Sequence, residues 1–198
     1  MNRITLTLAV ICSVLVSHAQ EAYLIQKGNF LGGGKGKLTF SSQDYLGEKY
    51  KETHFMIRPS IGYFIINQWA VGLNLDVETT TIKLDDDKLG KSNDMGAGIW
   101  TRYYVLPAIK KINFFGEAGF NMGGVKEDDD DRINYNSINL GFSMACFLNR
   151  NVALELGVEY STKKYEDEDE PINRFGLCAG FQIHFRKRNP VPSNSKSY

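Results

Sequence analysis

Residues 152–161 alternate without a break. Val152, Leu154, Leu156, Val158 and Tyr160 fall on one parity, and Ala153, Glu155, Gly157, Glu159 and Ser161 on the other. An extended chain points successive side chains to opposite faces, so a strand sorts these sets cleanly and a helix would mix them. The same rhythm runs through Phe175–Phe185 and Trp69–Val77. Five noisier segments follow it: Asn29–Ser41, Thr53–Ile65, Asp94–Val105, Ile112–Val125 and Ile133–Leu148. The pattern predicts eight strands and no helix.

The connections come in two kinds. Ile66-Asn67-Gln68, Pro107–Lys110 and Asn149-Arg150-Asn151 are tight. Ser42–Glu48, Leu84–Lys91, Glu127–Asp131 and Tyr165–Glu170 are longer and polar. Alternating short and long links predict an up-and-down meander with both chain ends on the short-turn side. Each strand reaches the roughly 9–11 residues a tilted membrane strand needs.

Alternation alone does not say which face is outside, because a soluble barrel alternates with its apolar face inward. The polar parity decides. It carries Gly62, Gly72, Gly96, Gly98, Gly119, Gly141, Gly157, Gly176 and Gly180 with few charges between them. Glycine weakens a solvent-facing strand, whereas an eight-stranded lumen is just wide enough for side chains and needs small ones. Aromatic residues band accordingly. Tyr63, Trp69, Tyr103, Phe114 and Phe185 lie near the short-turn ends, and Tyr135 and Tyr160 near the long-loop ends, as interfacial belts require. The expected fold is an all-β, eight-stranded antiparallel up-and-down transmembrane β-barrel, its termini periplasmic.

The chain ends read separately. Arg3, the apolar run Ile4–Val16 and Ser17-His18-Ala19 form a signal peptide over residues 1–19, cleaved after Ala19. The barrel occupies 20–186, and a short basic and polar tail occupies 187–198. Cys12 follows Ile11 rather than a small residue, so no lipid anchor is expected. Equal numbers of basic and acidic residues, 23 of each, argue against nucleic-acid binding.

Two stretches, Pro59-Ser60-Ile61-Gly62-Tyr63-Phe64 with Asn67-Gln68-Trp69-Ala70-Val71-Gly72-Leu73, and Phe147-Leu148-Asn149-Arg150-Asn151-Val152-Ala153-Leu154-Glu155-Leu156, are similar to the outer-membrane β-barrel domain family of small porin-like proteins of Gram-negative bacteria. The resemblance covers the mature chain. It implies residence in the outer membrane among its lipids and lipopolysaccharide, and no particular reaction. Gly180-Phe181-Gln182-Ile183-His184-Phe185 resembles the carboxyl-terminal signal read by the barrel-insertion machinery, although here a tail follows it.

Chemistry-bearing motifs are sparse. Asp44, Glu48, Asp85–Asp87, Glu127–Asp131 and Glu166–Glu170 place fifteen of the 23 carboxylates in the long loops. They offer oxygen ligands for divalent cations, or an extracellular partner surface, without the spacing of a calcium loop. Some eight-stranded barrels modify lipid A with a His and a Ser or acidic partner; here His54, near Ser41 and Ser42, and the distant His184 assemble no such set. Gly32–Lys37 lacks the spacing of a phosphate loop. No catalytic, cofactor or metal residue is assigned, and the protein is read as a non-enzyme with a structural or surface-interaction role. The alternatives are adhesin-like or cation-mediated lipopolysaccharide binding through the acidic loops and, last, lipid A modification.

Two further expectations concern the interior. Arg58 and Asp76 come out at one depth, Arg102 and Glu117 nearly so, and with Trp100 and Tyr104 they should fill the lumen. Cys146 falls on the lipid parity of strand six and Cys178 on the lumen parity of strand eight, which predicts two free thiols.

Overall fold

The computed structural model describes residues 24–45, 48–84, 87–126, 133–167 and 170–186. The expected signal peptide at 1–19, the tail at 187–198 and the acidic run Glu127–Asp131 lie outside them. Eight strands run in chain order: β1 (Phe30–Tyr45), β2 (Glu48–Ile66), β3 (Trp69–Leu84), β4 (Asp87–Tyr104), β5 (Ile112–Lys126), β6 (Ile133–Phe147), β7 (Val152–Tyr165) and β8 (Ile172–Phe185). Each pairs antiparallel with its neighbour, and β1 pairs with β8 from Phe30↔Phe185 to Leu38↔Leu177, closing the barrel. Closure leaves no membrane-depth backbone unpaired at a sheet edge, which in hydrocarbon would cost several kcal/mol per group.

Two expected loops are mostly sheet. Pairing continues to Tyr45↔Glu48 and to Leu84↔Asp87, so Ser42–Glu48 and Leu84–Lys91 shrink to connections at 46–47 and 85–86. The reason is physical. Beyond the apolar band the outward residues turn polar like the inward ones, so the hydrophobic alternation vanishes while β-branched residues such as Thr79, Thr80, Thr81 and Ile82 still favour extended chain.

The outer face is apolar over a defined height. On β3 it presents Trp69, Val71, Leu73, Leu75 and Val77, all more than a third exposed, then Thr79 and Thr81. The eight steps from Trp69 to Val77, tilted by roughly 40°, rise about 21 Å between Cα atoms, near the ~25 Å apolar band of such barrels. Polar pairs begin above it: Thr79 donates to Asn93 Oδ1 (3.1 Å), and Tyr160 to Asn173 Oδ1 (2.9 Å). Below it sit Phe30 with Tyr63 (ring centroids 5.0 Å) and Trp69 edge-on to Tyr103 (6.5 Å). Tyr135 does not join the outer belt. It is 2% exposed and faces the lumen, because Ile138, Leu140 and Phe142 fix the opposite parity as the outward one.

The terminal end of the barrel is stoppered by residues ahead of β1. Ile25, fully buried, packs with Phe64, Tyr104, Phe115 and Phe147. Gln68 N–H donates to Ile25 C=O (2.9 Å), Gly28 N–H to Phe64 C=O (2.9 Å) and Phe64 N–H to Asn29 C=O (3.0 Å). The chain reverses at Gly28 with φ 90°, a left-handed conformation that glycine adopts without cost. This segment carries no hydrophobic periodicity because it is neither strand nor helix.

Candidate functional site

Side chains on the inward parity of β1–β5, β7 and β8 meet in a charged lumen. Arg58, on β2, donates from Nε to Asp76 Oδ1 (2.5 Å) and from Nη2 to Asp76 Oδ2 (3.1 Å). Backbone pairing between β2 and β3 skips the pairs after Ile57↔Val77 and resumes at Ser60↔Asn74, where Pro59 has no N–H to give. The bidentate Arg58–Asp76 pair bridges that gap. Asp76 also accepts from Asn74 Nδ2 (3.0 Å), and Arg58 Nη1 donates to Glu159 (2.9 Å).

Glu159, 1% exposed, is shared. Lys35 lies 2.7 Å and Lys37 3.0 Å from it, and Lys37 also donates to Ser161 (3.0 Å). Lys35 reaches down to Glu117 as well, which ties this tier to the next. There Arg102 donates to Glu117 (2.7 and 2.9 Å), to Glu155 (2.6 and 3.2 Å) and to Tyr104 Oη (3.1 Å). Its guanidinium lies 4.0 Å over the Phe115 ring, an arrangement that suits the planar Arg cation.

A third tier lies toward the long-loop end. Lys163 donates to Glu78 (2.6 Å) and Asp94 (2.8 Å), and its ammonium sits 4.3 Å from the Tyr135 ring. Tyr165 donates to Asp94 (3.1 Å) and Arg174 to Glu78 (3.5 Å). His54 Nδ1 stands 2.6 Å from Glu78, and its Nε2 2.8 Å from Thr80 Oγ1. Hydroxyl, imidazole and carboxylate are therefore in line, in the order a nucleophile–base–orienter set takes. Thr80 supplies the hydroxyl among the described side chains; those of Ser41 and Ser42 lie outside them. Glu78 is already matched by Lys163 and Arg174, and Thr80 is 8% exposed. His184 is at the opposite end, its ring against Phe64 and Phe147.

Among the described residues, Lys35, Lys37, Arg58, Arg102, Lys163 and Arg174 face Asp76, Glu78, Asp94, Glu117, Glu155 and Glu159. These six cations meet these six carboxylates, so the fixed charges of the described lumen residues cancel. The expected Arg58–Asp76 and Arg102–Glu117 pairs are both formed. Lys35, Lys37, Lys163, Arg174 and Asp94 were missed. The lysines at 35 and 37 stand in a glycine-rich stretch that invites comparison with a phosphate loop, yet Phe30 and Leu38 on the opposite parity already place them inward.

Packing closes around the charges. Trp100, 6% exposed, lies flat across β2 and β3. A Cβ at Gly62 or at Gly72 would come within 2.5 Å of its ring, so both positions must be glycine for the indole to lie there. Trp100 Nε1 donates to Leu73 C=O (3.1 Å). Cys178 is buried toward the lumen while Cys146 is half-buried on the outer parity, and both are free thiols.

No protein-family model and no curated protein matches the chain in sequence. Solved structures do match in shape. Neisserial surface protein A superposes with a TM-score of 0.56 at 18% identity, covering 79% of this chain and 97% of that one. The outer membrane protein OprG of Pseudomonas aeruginosa gives 0.52 at 16%, over 82% and 98%. The N-terminal β-barrel domain of OprF, also from Pseudomonas aeruginosa, gives 0.50 at 13%, over 80% and 98%. This chain has the fold of the small eight-stranded outer-membrane β-barrels. The likeness spans nearly the full length of each neighbour, and the outward apolar band and inward polar ladder agree with it.

Proposed function

We propose that this protein is an integral outer-membrane β-barrel with a structural or surface-interaction role, its lumen closed by its own side chains. The observation that carries this reading is the neutral ladder of buried ion pairs, stacked in three tiers and backed by Trp100, Tyr104 and the Ile25 stopper. A buried charge without a partner is costly, and here each has at least one. Opening a path for ions requires breaking several pairs together. The termini and tight turns face the periplasm, and the long-loop end faces outward. The final strand supplies the insertion signal. His54 and Thr80 belong to the ladder and serve packing, with no catalytic part.

Exposed Glu166, Asp167 and Glu170 at the loop end support contact with an extracellular partner, or with lipopolysaccharide phosphates through divalent cations. The test of the main reading is planar-bilayer conductance of the purified protein. We expect no stable openings in the native protein. Reproducible unitary conductance would overturn the closed lumen.

A further inference from the structure

The zero net charge of the chain hides a polarity along the barrel axis. Between the strands at the terminal end, the described residues 24–29, 65–68, 105–111, 148–151 and 186 include no carboxylate and five cations: Lys27, Lys110, Lys111, Arg150 and Arg186. Lys187 and Arg188 follow in sequence. The opposite end carries the acidic runs.

The cations also have a defined depth. The last outward apolar residues at this end are Ile65, Val105, Ile112 and Leu148, 38–55% exposed. They lie just below Trp69, Tyr103 and Phe114, and the five cations come directly after them. Ile109, at the tip of the β4–β5 turn, is 62% exposed beside Lys110 and Lys111. Apolar side chains flanked by cations, beyond an aromatic girdle, match the boundary where acyl chains give way to phosphate groups. A partner in water would leave Ile109 and Val105 at the β4–β5 turn and Leu148 at the β6–β7 turn facing solvent.

We propose that this collar binds the phosphates of anionic phospholipid headgroups in the leaflet at the terminal end, and so fixes the depth and direction of the barrel. The inference rests on the membrane-spanning reading above. A basic residue near an anionic surface attracts its phosphates electrostatically, and salt screens that attraction over about 10 Å. The cations flank the β1–β8 seam and the β4–β5 and β6–β7 turns, with none at the β2–β3 turn, so only part of the annular lipid meets them and the measured selectivity per annular lipid is modest.

The experiment reconstitutes the full mature chain in phosphatidylcholine vesicles with spin-labelled phosphatidylglycerol or phosphatidylcholine at trace level, and reads the motionally restricted fraction of each. We expect phosphatidylglycerol to be favoured by about threefold at low salt, falling to parity in 1 M sodium chloride. Combining Lys27→Gln, Lys110→Gln, Lys111→Gln, Arg150→Gln and Arg186→Gln should also abolish the preference. The salt arm uses native protein and so stands even if the variant folds poorly. An inserted barrel with no preference at low salt overturns the collar and leaves the membrane reading intact. Failure to insert at all overturns both. Cosedimentation with peptidoglycan that depends on the same cations, without lipid preference, also overturns it.

Discussion

Replacing Arg58 by Met tests whether the lumen ladder is held by charge matching. The side chain keeps an unbranched apolar stem but ends two heavy atoms short of the guanidinium tips and loses its donors. Glu159 would retain Lys35 at 2.7 Å and Lys37 at 3.0 Å, so it stays neutralised. Asp76 would retain only the Asn74 amide at 3.0 Å. The damage therefore concentrates on one buried carboxylate, 4% exposed. Stranding a buried charge costs about 3–5 kcal/mol. Adding Asp76→Asn removes that charge and leaves only lost hydrogen bonds, worth about 1–2 kcal/mol in sum. The double variant should thus be more stable than Arg58→Met alone, with a coupling of about 2 kcal/mol or more. The assay is equilibrium unfolding of the refolded barrel in detergent by guanidinium, followed by tryptophan fluorescence and by folded and unfolded gel mobility. A loss below about 1 kcal/mol for Arg58→Met, or additivity of the two changes, would refute the reasoning.

Gly62→Ala should cost about 1–3 kcal/mol by overpacking, because its Cβ meets the Trp100 ring at 2.5 Å; Trp100→Phe should recover part of the loss, and no recovery would show that the ring is not the obstacle. Cys178, on the lumen side, should resist maleimide in the folded barrel and react on unfolding, and intact mass should show two free thiols; loss of two hydrogens would contradict the opposite-face placement. A cysteine introduced at Glu166 should label on whole cells and one at Asn149 should not; the reverse pattern would invert the orientation.

The interior was legible wherever one face of a strand met lipid. Lipid forces an apolar set onto one parity, and Arg58, Asp76, Arg102, Glu117, Glu155 and Glu159 then fall inward by counting. The strict register of a closed barrel made the Arg58–Asp76 match visible as well. Legibility ended where that constraint ended. Past Val77 and Met95 the outward residues are polar as well, so the extended hairpins of β1–β2 and β3–β4 read as loops. Tyr135 was misplaced because one aromatic residue near a strand end has no parity of its own until Ile138 and Leu140 are counted. The network around Glu159 was hidden for another reason. Lys35 and Lys37 pair with it across 124 and 122 positions of sequence, and the contact exists only because β8 brings β7 round to β1. The stopper at Ile25 needs the finished barrel mouth to exist at all.

The central claim is that the apolar parity faces lipid and the polar parity faces inward, and the two tryptophans of the chain divide between those faces. Trp69 is 41% exposed on the outer girdle and Trp100 is 6% exposed in the lumen. The measurement is fluorescence quenching by phospholipids brominated near the headgroup end of the acyl chain, on the barrel folded into vesicles. Trp100→Phe, which keeps Trp69, should be quenched strongly, and Trp69→Phe, which keeps Trp100, only weakly. Equal quenching of the two, or stronger quenching of Trp100, would contradict the account.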